Sequence, residues 1–264
     1  MISSSDDFDG APILRNEFDL DAGHGDVAAA TLHISSLGVF EASLNGAAVS
    51  EDVLSPGWSS YEWRLRYRSY DVGSLVGAHN LIEVALGNGW YRGRLGWSGK
   101  RGLYGDRLGL IAQLEITFAD GHRQLVVSDD RWSASSSETV ANDLYDGQTI
   151  DARRRGGTGG AARVETLDFD TGRLTPYIGP PVRRHETLHP EKIWTSPSGR
   201  TLVDFGQNLV GWLRLRARGD AGSTITVRHA EVLEHEELGV RPLRTAKATD
   251  HFILSGGDDV FEPT

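Results

Sequence analysis

Short apolar runs of period two, separated by pairs of turn residues, constrain the fold of this chain more than any other feature. Residues 39–44 alternate between apolar and polar side chains, and Asn45-Gly46 follows them directly. Such a pair favours a type I′ hairpin turn, because both central residues of that turn need a positive φ. Asp120-Gly121 follows the apolar run 108–118 in the same way. No window of twelve or more residues shows a convincing helical period with caps, so the sequence predicts an all-β fold of antiparallel sheets.

The segment 64–72 is a second strong strand signal. It places Arg64, Arg66 and Arg68 on one face, and Leu65 and Tyr67 on the other. Because strand side chains alternate between faces, we expect the arginines to face solvent and Leu65 and Tyr67 to face a core.

Changes of composition divide the chain into two units. Residues 1–11 are polar and read as a disordered leader. Loop-rich stretches at 153–163 and 175–181 are the best linkers, so we expect one β-sandwich over 12–178 and another over 179–264. Both are jelly-roll-like, and the second is short for a sandwich of about a hundred residues. We therefore expect it to be incomplete, with an open strand edge that could form a homodimer.

Composition excludes several classes of partner. The 264 residues carry a net charge of -10, which argues against a nucleic-acid backbone as ligand. The absence of cysteine excludes disulfides and thiolate metal sites. No signal peptide and no run of eighteen apolar residues is visible, so we expect no membrane partner and a cytoplasmic location, with secretion left open.

Residues 87–97 are the most unusual stretch, with two Trp, one Tyr, two Arg and four Gly among eleven residues. So much glycine predicts a shaped loop rather than a helix or a regular strand. Indole faces beside guanidinium donors suit sugars, whose C–H faces stack on rings while their hydroxyls take hydrogen bonds. In the alternative interpretation the tryptophans close the mouth of a sandwich.

Two motifs suggest metals. His185 and His189 spell H-E-x-x-H, but Pro190 disfavours a helix there, and in a strand the two histidines would lie roughly 13 Å apart. We therefore interpret the motif as coincidence. An EF-hand near Asn142 is excluded because Arg153 stands where a bidentate Glu is required. A looser calcium site remains open beside the alternative of ordinary Asx turns, and its candidate ligands are Asp52, Asp106, Asn142, Asp143 and Asp146.

Several motifs together resemble a known family. The runs 54–61, 89–93, 104–108 and 143–147 resemble the N-terminal β-sandwich module of bacterial α-L-rhamnosidases of glycoside hydrolase family 78. The later run 203–208, with 228–233, resembles the β-sandwich that follows it in those enzymes. The resemblance extends over nearly the whole chain from about residue 12.

The resemblance implies that catalysis and sugar binding lie in different domains. In that family an (α/α)₆ barrel elsewhere in the protein carries the inverting hydrolysis, so we expect this chain to be non-catalytic. Its first module is similar to a rhamnose-binding module in which calcium can bridge protein and sugar. The candidate residues for sugar contact are Trp58, Trp90, Tyr91, Arg92, Trp97, Tyr104 and Asp106. We expect weak binding of L-rhamnose or rhamnosides, micromolar at best. In the alternative, both sandwiches support the barrel, and residues 186–264 leave an apolar patch uncovered.

Overall fold

The computed structural model describes residues 1–8, 10–97, 99–156 and 161–262, and nearly all of its regular structure is strand. The strands up to residue 176 are β1 (Ile2–Ser4), β2 (Ile13–Asp19), β3 (Val27–Leu37), β4 (Val39–Leu44), β5 (Ala47–Ala48), β6 (Leu65–Asp71), β7 (His79–Gly87), β8 (Arg94–Leu95), β9 (Lys100–Arg101), β10 (Gly109–Phe118), β11 (Arg123–Val127), β12 (Ser133–Ser135), β13 (Thr139–Asp143), β14 (Gly147–Asp151), β15 (Ala162–Thr166) and β16 (Leu174–Pro176). The later strands are β17 (Lys192–Thr195), β18 (Thr201–Asp204), β19 (Leu215–Arg218), β20 (Thr224–Arg228), β21 (Val232–Glu234), β22 (Glu237–Gly239), β23 (Thr249–Ile253) and β24 (Asp258–Phe261).

The helical elements are short. They are α1 (Gly89–Arg92) and the 3₁₀ turns Gly73–Leu75, Ala152–Arg154, Thr171–Arg173 and Arg241–Leu243. Among the described residues, no helix has the length and apolar character needed to cross a membrane. The predicted all-β class is confirmed.

The first unit is a sandwich with one continuous core. One layer has the strand order β16-β6-β3-β10, with β11 also on β10, and the other has the order β12-β2-β7-β4-β5. β1 and β15 join the two layers at one side. Alternation sends Leu32 and Ile34 of β3 inward from the first layer, and Val84 and Leu86 of β7 inward from the second. The two layers therefore bury their apolar faces against each other.

Residues 2–4 overturn the expectation of a disordered leader. β1 pairs with β10 on one side and β15 on the other, and Ile2 is fully buried in the core. The Ser3 hydroxyl donates to the carbonyl of Leu108 at 2.7 Å. A three-residue strand has too few positions to show a period, so the sequence pattern could not reveal it.

Strands from both sides of residue 178 share one sheet and one core cluster. The hairpin β13-β14 joins β23 and β20 in one four-stranded sheet, with Ile150 opposite Phe252. A second core cluster accordingly combines Ile150 and Ala152 with Phe252, Leu254 and Phe261. The predicted linkers also contribute strands to the first unit, since β15 pairs with β1 and β16 pairs with β6. Residues 157–160 of the first linker lie outside the described ranges.

The arginines of β6 are not on a solvated face. Segment 174–177 runs beside β6, and the ring of Tyr177 lies 3.4 Å from the Arg68 guanidinium. Arg68 also lies 3.8 Å from Asp52, and its side chain keeps only 10% of its surface exposed. Arg68 lies opposite the core-facing Ile34 of β3, so the arginine face of β6 turns toward the interior of the sandwich, and the expectation that the arginines face solvent while Tyr67 faces the core is wrong. The pattern could not show that Asp52 and the ring of Tyr177 would accompany Arg68 there.

Two of the small two-stranded units, β17-β18 and β21-β22, leave apolar surface open. Ile193 of β17 lies opposite Val203 of β18, and the two side chains are 63% and 45% exposed. Val232 and Leu233 of β21 are exposed as well. This is the uncovered surface that the scaffold alternative predicts.

Candidate functional site

The glycine-rich stretch folds as one helical turn followed by a small hairpin. α1 occupies Gly89–Arg92, and β8 pairs with β9, so the prediction that no helix forms here is wrong. The turn is anchored at Asn88, whose backbone N–H donates to Asn142 Oδ1 at 2.7 Å and whose side-chain amide donates to the Asn142 carbonyl at 2.6 Å. Gly89 has φ +49, and a Cβ there would lie 2.7 Å from Val39. Close packing against β4 therefore requires glycine.

Four aromatic residues from three segments meet beside this turn, and we call Trp58, Tyr61, Tyr91 and Tyr104 the aromatic cluster. Tyr61 is buried at its centre, with ring centroids 5.1 Å from Tyr91 and 5.0 Å from Tyr104. The indole Nε1 of Trp58 donates to the Tyr104 hydroxyl at 3.3 Å, and Trp58 is 57% exposed. Trp58, Tyr91 and Tyr104 were among the residues predicted to contact sugar. Tyr61 was missed, although it closes the aromatic turn motif 55–61.

Backbone contacts hold the cluster in place. The Tyr61 carbonyl accepts a hydrogen bond from Arg173 Nη1 at 3.2 Å. Ser59 Oγ donates to the carbonyl of Arg64 at 3.0 Å and so closes the turn that carries Trp58 and Tyr61. A Cβ on residue 105 would lie 2.1 Å from the Tyr91 hydroxyl. Gly105 is thus the residue that lets the Tyr91 phenol reach the cluster.

Burial keeps the phenols of Tyr61 and Tyr91 protonated. It raises the pKa of Tyr61, and the neighbouring phenols of Tyr104 and Tyr91 raise this pKa further. Burial also raises the pKa of Tyr91, the charge of Asp106 adds to that effect, and Arg173 opposes it. The site therefore combines a half-exposed indole face, neutral phenol hydroxyls and the exposed carboxylate of Asp106. Such groups can stack against a ring and exchange hydrogen bonds with hydroxyls.

Three predicted sugar contacts lie elsewhere. Arg92 is used by the fold, because its guanidinium pairs with Asn88 Oδ1, the Gly10 carbonyl and Asp7. Trp97 is 80% exposed and lies against the Arg244 guanidinium, 4.1 Å from its ring centroid. Trp90 is half-buried on α1, and within the described part of the chain no ring contact joins it to the aromatic cluster.

Two of the calcium candidates hold arginines instead. Asp143 accepts hydrogen bonds from the Arg94 backbone N–H at 2.9 Å and from Arg101 Nη1 at 2.7 Å. Asp146 pairs with the Arg94 guanidinium and with Arg101 Nη2. Lys247 also lies 3.7 Å from Asp146. Protein cations therefore neutralise both carboxylates.

Two further metal candidates, Asp52 and Asn142, also have partners within the protein. Asp52 accepts from Arg183 Nε at 2.8 Å, and Asn142 holds α1. No group of three or more His, Cys, Asp or Glu side chains that could hold a metal is found in the described ranges. His185 and His189 are exposed in irregular chain, so the helix that H-E-x-x-H needs is absent there.

Most of the chain matches a known protein family. The model of the α-L-rhamnosidase N-terminal domain matches residues 25–186, which is more than half of the chain. The chain belongs to this family. A second model, the bacterial α-L-rhamnosidase concanavalin-like domain, matches residues 194–264.

Relatives of the family are much longer than this chain. An α-L-rhamnosidase of Streptomyces avermitilis is 40% identical over 265 residues, which cover 95% of this chain and 25% of that protein. An α-L-rhamnosidase of Formosa agariphila is 31% identical over 258 residues, which cover 92% of this chain and 27% of that protein. The chain thus spans about a quarter of the length of the curated rhamnosidases that it matches.

Solved structures of rhamnosidases share the fold. The native α-L-rhamnosidase of Aspergillus terreus superimposes with a TM-score of 0.93 and 41% identity, over 100% of this chain and 32% of that one. The Streptomyces avermitilis enzyme, solved with L-rhamnose, superimposes with a TM-score of 0.90 and 37% identity, over 99% of this chain and 26% of that one. The N-terminal rhamnosidase resemblance is confirmed.

Proposed function

We propose that this chain forms the sugar-contacting N-terminal β-region of an α-L-rhamnosidase, an inverting glycoside hydrolase whose chemistry takes place in another domain. In this proposal the aromatic cluster binds L-rhamnose or a rhamnosylated glycan, and the chain itself cleaves nothing. Family membership supports the class of enzyme and the class of sugar.

One observation carries the proposal: Trp58 presents an indole that is 57% exposed and is hydrogen-bonded to Tyr104, whose ring packs against the buried Tyr61. An indole held by a hydrogen bond loses little further freedom when a sugar stacks on it. The Tyr104 hydroxyl accepts from Trp58 and still has its own proton to donate. Asp106 lies close enough to raise the Tyr91 pKa and can accept from a sugar hydroxyl.

The experiment is a calorimetric titration of this chain with L-rhamnose, with and without calcium. We expect a dissociation constant between about 10 μM and a few mM, since a monosaccharide offers few groups and water competes for each. Trp58→Ala should weaken binding at least tenfold. A dependence on calcium would add the metal to the proposal, with Asp106 as the ligand to test first.

The matched control is Trp97→Ala. Trp97 is also strongly exposed, but it rests on Arg244 rather than on the aromatic cluster, so its removal should leave the affinity unchanged. If the titration with L-rhamnose produces neither a heat of binding nor a spectral change, sugar binding by this chain is rejected. Equal losses from the two variants would reject the cluster as the site.

A second candidate function, the scaffold, is favoured by one specific observation. The cross-strand pair Ile193 and Val203 remains open to solvent on a two-stranded unit that buries little of its own surface. Exposed apolar pairs of this kind usually mark a surface that another domain or protein covers. In the longer protein that surface would pack on a further domain. The two functions use different residues and are compatible.

A further inference from the structure

The turn between Tyr61 and β6 presents a second exposed indole, at Trp63. This side chain is 79% exposed, compared with 57% for Trp58 of the aromatic cluster. Its neighbours Glu62 and Arg64 are exposed as well. None of these three side chains makes a hydrogen bond, an ion pair or a ring contact with any residue that the structure describes. Because tryptophan is usually highly buried, an indole left this open points to a partner outside the chain.

Hydrogen bonds brace the turn that carries Trp63. The backbone N–H groups of Trp63 and Arg64 both donate to the Ser60 carbonyl, at 2.8 and 3.0 Å. Ser59 Oγ donates to the Arg64 carbonyl at 3.0 Å, and Tyr61 between them is buried. The indole is therefore displayed from a fixed backbone, which loses little further freedom when a ligand binds.

The same turn brings Trp63 near Trp58. The hydrogen bond between Ser59 Oγ and the Arg64 carbonyl joins the two residues that follow these tryptophans in the chain. With about 3.8 Å between successive Cα atoms, the Cα atoms of Trp58 and Trp63 lie at most about 15 Å apart. A short sugar chain can therefore reach both indoles at once.

The groups around Trp63 favour a sugar over a protein partner. A sugar ring can stack its C–H face on the indole, while its hydroxyls donate to the Glu62 carboxylate and accept from the Arg64 guanidinium. The opposite charges of these two side chains cancel, which suits a neutral ligand. A protein-binding surface is usually a wider apolar patch, whereas both neighbours of Trp63 in the chain are charged.

We propose that Glu62, Trp63 and Arg64 form a second sugar subsite, which binds the unit next to the one at the aromatic cluster. The ligand that fits this chain best is then a neutral rhamnosylated oligosaccharide rather than free L-rhamnose. The inference rests on the proposed function, because the first unit binds at the aromatic cluster. None of the three residues is among the sugar contacts predicted from the sequence.

The test compares calorimetric titrations of this chain with L-rhamnose and with the neutral disaccharide 6-O-α-L-rhamnosyl-D-glucose. We expect the unchanged chain to bind the disaccharide at least about fivefold more tightly than L-rhamnose. Trp63→Ala should remove that difference and leave the affinity for L-rhamnose unchanged. Trp63→Phe keeps an aromatic ring and should retain part of the difference. Because the Trp63 side chain is 79% exposed, Trp63→Ala should change Tm by less than about 2 °C.

The matched control is Trp97→Ala, which removes an indole that is 80% exposed but lies against Arg244. This variant should bind both sugars as the unchanged chain does, whereas Trp58→Ala should weaken the binding of both.

The outcomes separate this inference from the proposed function. If the disaccharide binds no more tightly than L-rhamnose, or if Trp63→Ala weakens both sugars equally, the second subsite is rejected while the proposed function stands. A preference for the disaccharide that survives in Trp63→Ala would also overturn the inference, since another group must then hold the second unit. If neither sugar binds to the unchanged chain, the proposed function fails and the inference fails with it.

Discussion

At the scale of single residues, the aromatic cluster depends on a glycine that a sequence pattern does not mark as special. Tyr91 reaches Tyr61 only because residue 105 has no side chain. Gly105→Ala would place a methyl group against the phenol and force the ring out of position. We expect a loss of about 1–3 kcal/mol in the free energy of unfolding, together with weaker L-rhamnose binding. Urea denaturation and the calorimetric titration measure the two effects.

The control for that substitution is Gly211→Ala. A Cβ at this position would meet Leu209 at 3.5 Å, an ordinary contact, and the φ of Gly211 is not in the left-handed region. We expect a change below about 0.5 kcal/mol. If both variants unfold at the same urea concentration as the unchanged chain, the close approach of Tyr91 and Gly105 is not a constraint on the cluster.

The structure brings together some, but not all, of the residues that the sequence singled out as sugar contacts. Trp58, Tyr91 and Tyr104 were singled out as aromatic groups in turn-rich segments, and the structure brings them together. Arg92 and Trp97 stand in the same unusual stretch, but their partners Asp7 and Arg244 come from the two ends of the chain. Nothing in the spacing of residues 87–97 encodes those distant contacts.

At the scale of elements, the hairpin β8-β9 connects the two units through its arginine side chains. Arg94 and Arg101 hold the turn that follows β13, and Arg94 Nη1 also donates to the carbonyl of Thr245 at 2.9 Å. Asp146→Asn would leave these guanidinium groups without one carboxylate. We expect about 2 kcal/mol of lost stability at pH 7, measured by urea denaturation.

The pH dependence of that loss follows from the pKa of Asp146. Burial pushes this pKa upward, but the hydrogen bond and charge of Arg94, with Lys247 and Arg101, outweigh burial and lower it below the ordinary 3.8. A lowered folded-state pKa stabilises the fold above the unfolded value, and this stability is lost as the pH falls through the folded value. The difference between the unchanged chain and Asp146→Asn should therefore be full at pH 7 and shrink below about pH 4. A difference that stays constant down to pH 2 would contradict the network.

Turns were predictable from the sequence because their chemistry lies within two residues. Asn45 and Gly46 have φ 55 and 78, the left-handed values that the hairpin between β4 and β5 requires. Gly121, with φ +88, turns β10 into β11 as expected. The pairing of β14 with β23 was not predictable, because the two strands are about a hundred residues apart and each is too short to specify its neighbour.

At the scale of the whole molecule, two cores share one chain without a clean boundary, and the second leaves apolar surface open. If this chain is part of a longer rhamnosidase, as proposed, and Ile193 and Val203 support another domain there, replacing both with Ser should lower the Tm of that longer enzyme by several degrees. The same double substitution should change the Tm of this chain little, because both side chains already face water. Calorimetric melting of the two proteins measures the contrast. Equal shifts in both would reject the scaffold role of this face.

Sugar contact at the aromatic cluster is tested most directly by the indole N–H signals of the tryptophans during an L-rhamnose titration. Trp58 should shift, because its Nε1 is bonded to Tyr104 at the half-exposed site. Trp132 is the internal reference, since its buried Nε1 donates to the Val127 carbonyl at 2.9 Å inside the sandwich. The account predicts a saturable shift of the Trp58 signal with Trp132 unmoved. A Trp58 signal that stays fixed at tens of millimolar sugar would contradict it.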